Sequence, residues 1–179
     1  MRRIEREAYS GKRFLPIIGP EKGKFYYLVA KAVKAKRILD LGTLVGYSAL
    51  LFSKALGGEG EVVTVEYDKA HFKEAQKNLA EAGVKNVRAI NGDARREVRN
   101  LCRNNACFDL ILLDIWKDEY VAVFDDCVGM LKKGGVILTD NALWDTPEMM
   151  AFRDFLGKYG KADSVVVPIG DGIAMSVKK

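Results

Sequence analysis

The sequence predicts an α/β fold, a mostly parallel sheet of seven strands with helices on both faces and an antiparallel hairpin at the carboxyl end. Five short apolar runs alternate with segments of helical period, the rhythm of strand–crossover–strand units. The rhythm breaks near the end, where "KADSVVVPIGDGIAMSVKK" reads as two strands joined by a Pro/Gly turn, a hairpin rather than a crossover. Composition agrees: 49% hydrophobic and 30% charged residues, with only 4 Pro against 17 Gly, suit a folded globular chain and neither a disordered nor a membrane-spanning one.

The elements follow in order. Residues 1–14 form a short amino-terminal extension, expected to be poorly ordered or a short helix, and "PIIGP" is a turn-rich entry. "GKFYYLVAKAVKA" is a helix that can pack on the sheet. Strands are expected at 37–41, 61–66, 87–91, 108–114 and 134–140, each a buried run. Helices are expected at 46–56, 68–82, 93–103, 118–131 and 147–159. The second of these, "DKAHFKEAQKNLAEAG", carries Asp68 as amino-terminal cap and Gly83 as stop signal. At 179 residues the whole chain, 1–179, fits one domain.

No apolar run approaches the roughly 18 residues of a membrane span, and the amino terminus has no hydrophobic signal core, so a cytoplasmic location is expected. Cys102, Cys107 and Cys127 lack C-x-x-C spacing and are read as reduced and structural. A net charge of +5 is a mild lean toward anionic partners.

In open α/β sheets ligands bind beyond the carboxyl ends of the strands. The first strand runs into "DLGTLVGYS", where Gly42 and Gly46 permit close backbone approach and Ser48 falls in the first turn of a helix. The second strand ends on Glu66, placed to hold the two hydroxyls of a ribose. Together they imply a nucleoside cofactor, either a nicotinamide dinucleotide or S-adenosylmethionine. The loop lacks G-x-G-x-x-G and the sheet ends in an antiparallel hairpin, which favours the methyl donor. "NGDA" puts Asp93 and Ala94 where an adenine edge would lie, and Asp93 also suits a helix cap.

The run "FDLILLD" stops on Asp114, and "GGVILTD" on Asp140, followed by Asn141. Neighbouring strands lie about 4.8 Å apart, so adjacent strands four and five bring these residues to one rim. Two carboxylates and an amide oxygen are hard ligands suited to Mg²⁺ or Ca²⁺ rather than zinc. Lys117, three residues after Asp114, would be an amine able to take a proton there.

These stretches, "GPEKGKFYYLVAKAVKAKRILDLGTLVGYSALLFSKAL", "TVEYDKAHFKEAQKNL", "FDLILLDIWKDEY", "ILTDNALW" and "VPIGDGIAMSVKK", resemble the cation-dependent O-methyltransferases, the group containing catechol and caffeoyl-coenzyme A O-methyltransferases. The similarity spans about residues 15 to 179, and D-x-x-K with a later D-N is its specific mark. The resemblance implies a Rossmann-like class I methyltransferase fold and S-adenosylmethionine with a divalent cation, Mg²⁺ or else Ca²⁺ or Mn²⁺. It implies a small hydroxylated aromatic acceptor and a homodimer. Asp114, Asp140 and Asn141 match the metal ligands and Lys117 the general base. Glu66 matches the ribose-binding acid; Asp40, Gly42 and Ser48 the residues around the methionine moiety; Gly92, Asp93 and Ala94 the adenine edge, with Trp116 near that ring; and Ile18 a backbone contact to the donor. Ile115 stands where animal catechol enzymes have histidine, and the segment ahead of "GPEKGK" is short, which affects the acceptor pocket. Trp144 either lines that pocket or covers the sheet edge.

Two rivals differ in kind. Arg95, Arg99 and Arg103 share a helical face, Arg96 flanks them, and the amino terminus adds Arg2, Arg3, Lys12 and Arg13. This stripe is either a solvated face or a phosphate-binding surface for transfer RNA or a coenzyme A thioester, with a hydroxylated uridine as the RNA acceptor. An inactive donor-binding module would have lost a ligand or the lysine, and all four residues are present.

Overall fold

The computed structural model describes residues 1–179. Seven strands form one sheet: β1 (Arg37–Leu41), β2 (Glu61–Glu66), β3 (Val87–Asn91), β4 (Phe108–Leu113), β5 (Leu131–Asp140), β6 (Ala162–Val167) and β7 (Ile173–Lys178). Their spatial order is β3-β2-β1-β4-β5-β7-β6. The first five run parallel, and β7 pairs antiparallel with both β5 and β6. The chain order reverses between β1 and β4, which opens a crevice at the carboxyl ends of those strands.

Seven helices cover the sheet: α1 (Arg2–Ala8), α2 (Gly19–Ala32), α3 (Tyr47–Leu56), α4 (Lys69–Glu81), α5 (Ala94–Arg103), α6 (Tyr120–Met130) and α7 (Pro147–Lys158). Alternation along each strand divides the core in two. Ile38, Leu110, Leu112 and Leu138 pack with Tyr26 and Phe52 of α2 and α3. Leu39, Ile111, Leu113 and Ile137 pack on the opposite face with Phe124 and Phe152 of α6 and α7. Asp68 caps α4 by accepting from the Ala70 and His71 amides, and Gly83 follows the helix at φ +67°.

Several boundaries differ from the sequence expectation. The fourth strand ends at Leu113, so Asp114 leaves the ladder, though its N–H still donates to the Leu41 carbonyl at 2.8 Å. β5 starts at Leu131, three residues early, beyond an irregularity in its pairing between Phe108 and Leu110. The helix expected at 118–131 opens as a 3-10 turn, Lys117–Glu119, before α6. Of the two alternatives for the amino terminus, the helix is the one formed: Ile4 is buried, the Tyr47 hydroxyl donates to Glu5, and Arg3 bonds Asn78 and Glu81. The three cysteines are unpaired, and burial pushes the Cys127 thiol up. No helix is long and apolar enough to cross a membrane.

Candidate active site

The parallel pairing of β4 with β5 sets Leu113 opposite Thr139, so the next residues, Asp114 and Asp140, meet at the rim. Asp140 is 3% exposed. Its two carboxylate oxygens accept from the Lys22 ammonium at 2.7 and 2.8 Å, and one also accepts from the Tyr26 hydroxyl at 2.7 Å. Lys22 and Tyr26 are one turn apart on α2, so they share the face turned to the sheet. The same ammonium reaches Asp171, in the turn between β6 and β7, at 2.6 Å.

Lys117 is not a solvated lysine; its side chain is 17% exposed. Its ammonium donates to Asp114 Oδ1 and the Ile115 carbonyl, both at 3.1 Å, and to the Tyr120 hydroxyl at 2.8 Å. It also lies 5.5 Å from the centre of the Trp144 ring, a cation–π distance. Burial, and then the negative charge of Asp140, push the Asp114 carboxyl up to about 6 against the pull of Lys117. Burial and the same two carboxylates raise the Tyr26 and Tyr120 hydroxyls further. Asn141 follows at φ +58°, a left-handed bend that asparagine tolerates better than most residues. Its amide nitrogen donates to Asp171 Oδ2 at 2.5 Å.

The donor set of Asp114, Asp140 and Asn141 is hard oxygen, and the crowding of two carboxylates suits a cation between them. The Lys22 ammonium occupies both Asp140 oxygens, so a cation held by this Asp–Asp–Asn set would share that carboxylate with Lys22.

Around the end of β1, hydrogen bonds brace the loop that follows the strand. Asp40 is fully buried; Oδ2 accepts from Ser48 at 2.9 Å and Thr64 at 2.8 Å, while Oδ1 has no partner. Burial lifts this carboxyl to about 7 in spite of both hydroxyls. An orphaned buried acceptor beside the β1 loop fits a ligand that brings an amino group. Gly42, at φ +104°, lies so close to the Asp114 carbonyl that a Cβ would come within 1.9 Å of it. Glu66 braces the loop from the end of β2, accepting from the Leu44 amide at 2.7 Å and the Asp68 amide at 2.8 Å. Gly92 donates its N–H to the Glu66 carbonyl, Asp93 caps α5 through the Arg96 amide, and Ala94 is buried beneath them. Ile18 is buried at the start of α2, and Trp116 stands 72% exposed on the rim.

The structure therefore gathers Asp114, Lys117, Asp140 and Asn141 at one point and Asp40, Ser48 and the β1 loop beside it. Lys22, Tyr26, Tyr120 and Asp171 were not singled out from sequence. The Lys22–Tyr26 spacing on a helix face otherwise apolar was a usable signal; Asp171 read only as a turn residue. Of the basic residues, Arg3 and Arg13 pair with Glu81 and Glu74, and Arg96 with Glu97, whereas Arg95, Arg99 and Arg103 are exposed and make no ion pair.

A doubly wound sheet that ends in an antiparallel hairpin, with an acid closing β2 and an acid–lysine pair at the β4 rim, is the architecture of an α/β enzyme whose ligand lies beyond the carboxyl ends of its strands. The chain belongs to the O-methyltransferase family, whose model matches residues 1–179. It is 33% identical to a catechol O-methyltransferase of Niastella koreensis over 90% of this chain and 82% of that one. It is 28% identical to a caffeoyl-CoA O-methyltransferase of Zinnia elegans, over 87% of this chain and 72% of the relative. The fold superimposes on the O-methyltransferase TomG from Streptomyces achromogenes, a protein involved in tomaymycin synthesis and solved in complex with SAM. The TM-score is 0.86 at 25% identity, covering 99% of this chain and 88% of that one.

Proposed function

We propose that the protein transfers the methyl group of S-adenosylmethionine to one oxygen of a vicinal dihydroxy, catechol-like acceptor, with a divalent cation and with Lys117 as general base. The observation that carries this reading is the placement of the Lys117 amine, 3.1 Å from Asp114 and walled by Tyr120 and Trp144, at the rim where Asp140 and Asn141 also end. Family membership and the relatives named above support the reaction class. The proposal takes residues 1–179 as one methyltransferase domain. A cytoplasmic location belongs to it as the sequence expectation, and a homodimer through the resemblance alone.

On this reading Ile18, Asp40, Gly42, Ser48, Glu66, Gly92, Asp93, Ala94, Asp114 and Trp116 hold the donor, and the unpartnered Asp40 oxygen takes its amino group. Asp114, Asp140 and Asn141 would hold Mg²⁺, or Mn²⁺ or Ca²⁺ in its place. That cation supplies Lewis-acid polarisation of the acceptor oxygens. A free phenol, with a pKa of about 10, is mostly protonated at neutral pH. Lys117, once it has lost its own proton to solvent, removes as a neutral amine the proton of the reacting hydroxyl while the oxygen–carbon bond forms and the carbon–sulfur bond breaks. Asp114, the Ile115 carbonyl and the Tyr120 hydroxyl then share the ammonium. Transfer to catechol compared with transfer to phenol tests the proposal: methylation of the diol alone is expected, and equal rates on both would overturn the need for adjacent oxygens.

A second reading, a hydroxylated uridine of transfer RNA as acceptor, is favoured by the three unpaired arginines of α5. Arg3 and Arg13, tied down within the chain, weaken it. RNA affinity falling steeply with salt would support this acceptor.

A further inference from the structure

Asp171 sits in the turn between β6 and β7, far in sequence from the rim residues it touches. One carboxylate oxygen, Oδ2, accepts from the Asn141 amide nitrogen at 2.5 Å and from the Trp144 indole N–H at 3.1 Å. The other, Oδ1, accepts from Lys22 at 2.6 Å. The backbone fixes the turn against the same loop: the Leu143 amide donates to the Asp171 carbonyl at 2.9 Å, and the Ala142 amide to the Gly172 carbonyl at 3.0 Å. Gly172, at φ +89°, is pressed so closely on this loop that a Cβ would lie 2.5 Å from Leu143. Asp171 is therefore held rigidly at both ends while it holds others.

An asparagine amide has one ligating end, its oxygen, and one end that repels a cation. Rotation of the amide by half a turn exchanges them at almost no change in shape. Against Asp171 that freedom disappears. With the nitrogen toward Asp171 a charge-assisted hydrogen bond forms; with the oxygen toward it, two acceptors collide. We propose that Asp171 is a positioning residue that locks the Asn141 amide with its oxygen presented for cation ligation, and that through Trp144 it ties the acceptor wall to the same ligand. The proposal rests on the reading that Asp114, Asp140 and Asn141 bind a divalent cation.

The test is Mn²⁺ binding by electron paramagnetic resonance titration, with no turnover required. Asp171→Asn is expected to weaken Mn²⁺ binding about 10-fold, the lower end of what loss of an outer partner costs a metal site. The swap of the pair, Asn141→Asp with Asp171→Asn, keeps volume, charge and one hydrogen bond while reversing its direction, and leaves an oxygen at 141 whichever way the side chain turns. It is expected to restore binding to within about threefold of wild type. S-adenosylhomocysteine binding and melting temperature should stay near wild type in both. Asp171→Ser, too short to reach the amide, is expected to show the same loss and replaces Asp171→Asn if that variant melts early. Wild-type Mn²⁺ affinity in Asp171→Asn, or a swap no better than the single variant, overturns the positioning role. A wild-type protein that binds no Mn²⁺ overturns the cation reading itself, and the inference with it.

Discussion

Lys117 and Asp40 are the two residues on which the proposed chemistry rests most visibly, and they make separate predictions. Lys117 is wedged among Asp114, Tyr120 and Trp144 and makes no hydrogen bond to the β1 loop. Lys117→Ala is expected to lower kcat by about 100-fold or more, the usual weight of a general base, and to leave the dissociation constant for S-adenosylhomocysteine within a factor of about two. Calorimetry and initial rates read the two quantities separately; undiminished turnover would refute the assignment. Asp40 is a different case, because burial holds its carboxyl at about 7. An unfolded aspartate titrates near 3.9, so the folded state prefers the protonated form, and the stability this confers is present below about pH 4 and is lost as pH rises through 7. The full effect is on the order of 3–4 kcal/mol. Urea unfolding of the ligand-free protein at pH 5 and pH 8 should show a decline that Asp40→Asn reduces, the raised Asp114 carboxyl supplying part of what is left; an equal decline in both proteins would contradict the account.

At the scale of elements, the junction of β1 with the end of β4 is the most constrained point. Gly42→Ala combines a left-handed φ with a Cβ 1.9 Å from the Asp114 carbonyl, and the atom it meets is backbone. The substitution should cost at least about 2 kcal/mol in urea unfolding and weaken donor binding with it, because the Asp114 backbone must move. Near-wild-type stability would mean that the loop has slack. This junction also shows what the sequence could and could not tell. Buried strands with abrupt polar ends, such as the run into Asp114, were legible because burial on both faces requires continuous apolar residues. The Asp68 cap and the Gly83 stop were legible because both act within one turn of chain. The start of β5 was not, since "LKKGG" reads as a turn and only pairing with Phe108 makes Leu131 a strand residue. The Lys22–Asp140–Asp171 cluster was hidden for the same reason, because its members come from a helix, a parallel strand and a hairpin turn, and their meeting depends on tertiary register.

For the whole molecule, strand order matters more than any single contact. Placing β1 between β2 and β4, and β5 beside β4, brings the β1 loop and the acid–lysine rim to one side of the crevice. Charge is distributed less simply: Arg3 and Arg13 fasten the amino-terminal segment to α4, while Arg95, Arg99 and Arg103 stay free on α5. If the acceptor is a small diol, charge reversal of Arg95 and Arg99 to Glu should leave its KM within about twofold, since solvent-exposed charges are screened by salt; a large rise would direct attention to a phosphate-bearing acceptor. The most direct test of the central claim is methyl transfer from S-adenosylmethionine to catechol with divalent metal, with chelator, and with metal restored. The account predicts product that disappears on chelation and returns with metal. Product formation indifferent to chelator, or none from a protein that binds the donor, would contradict it.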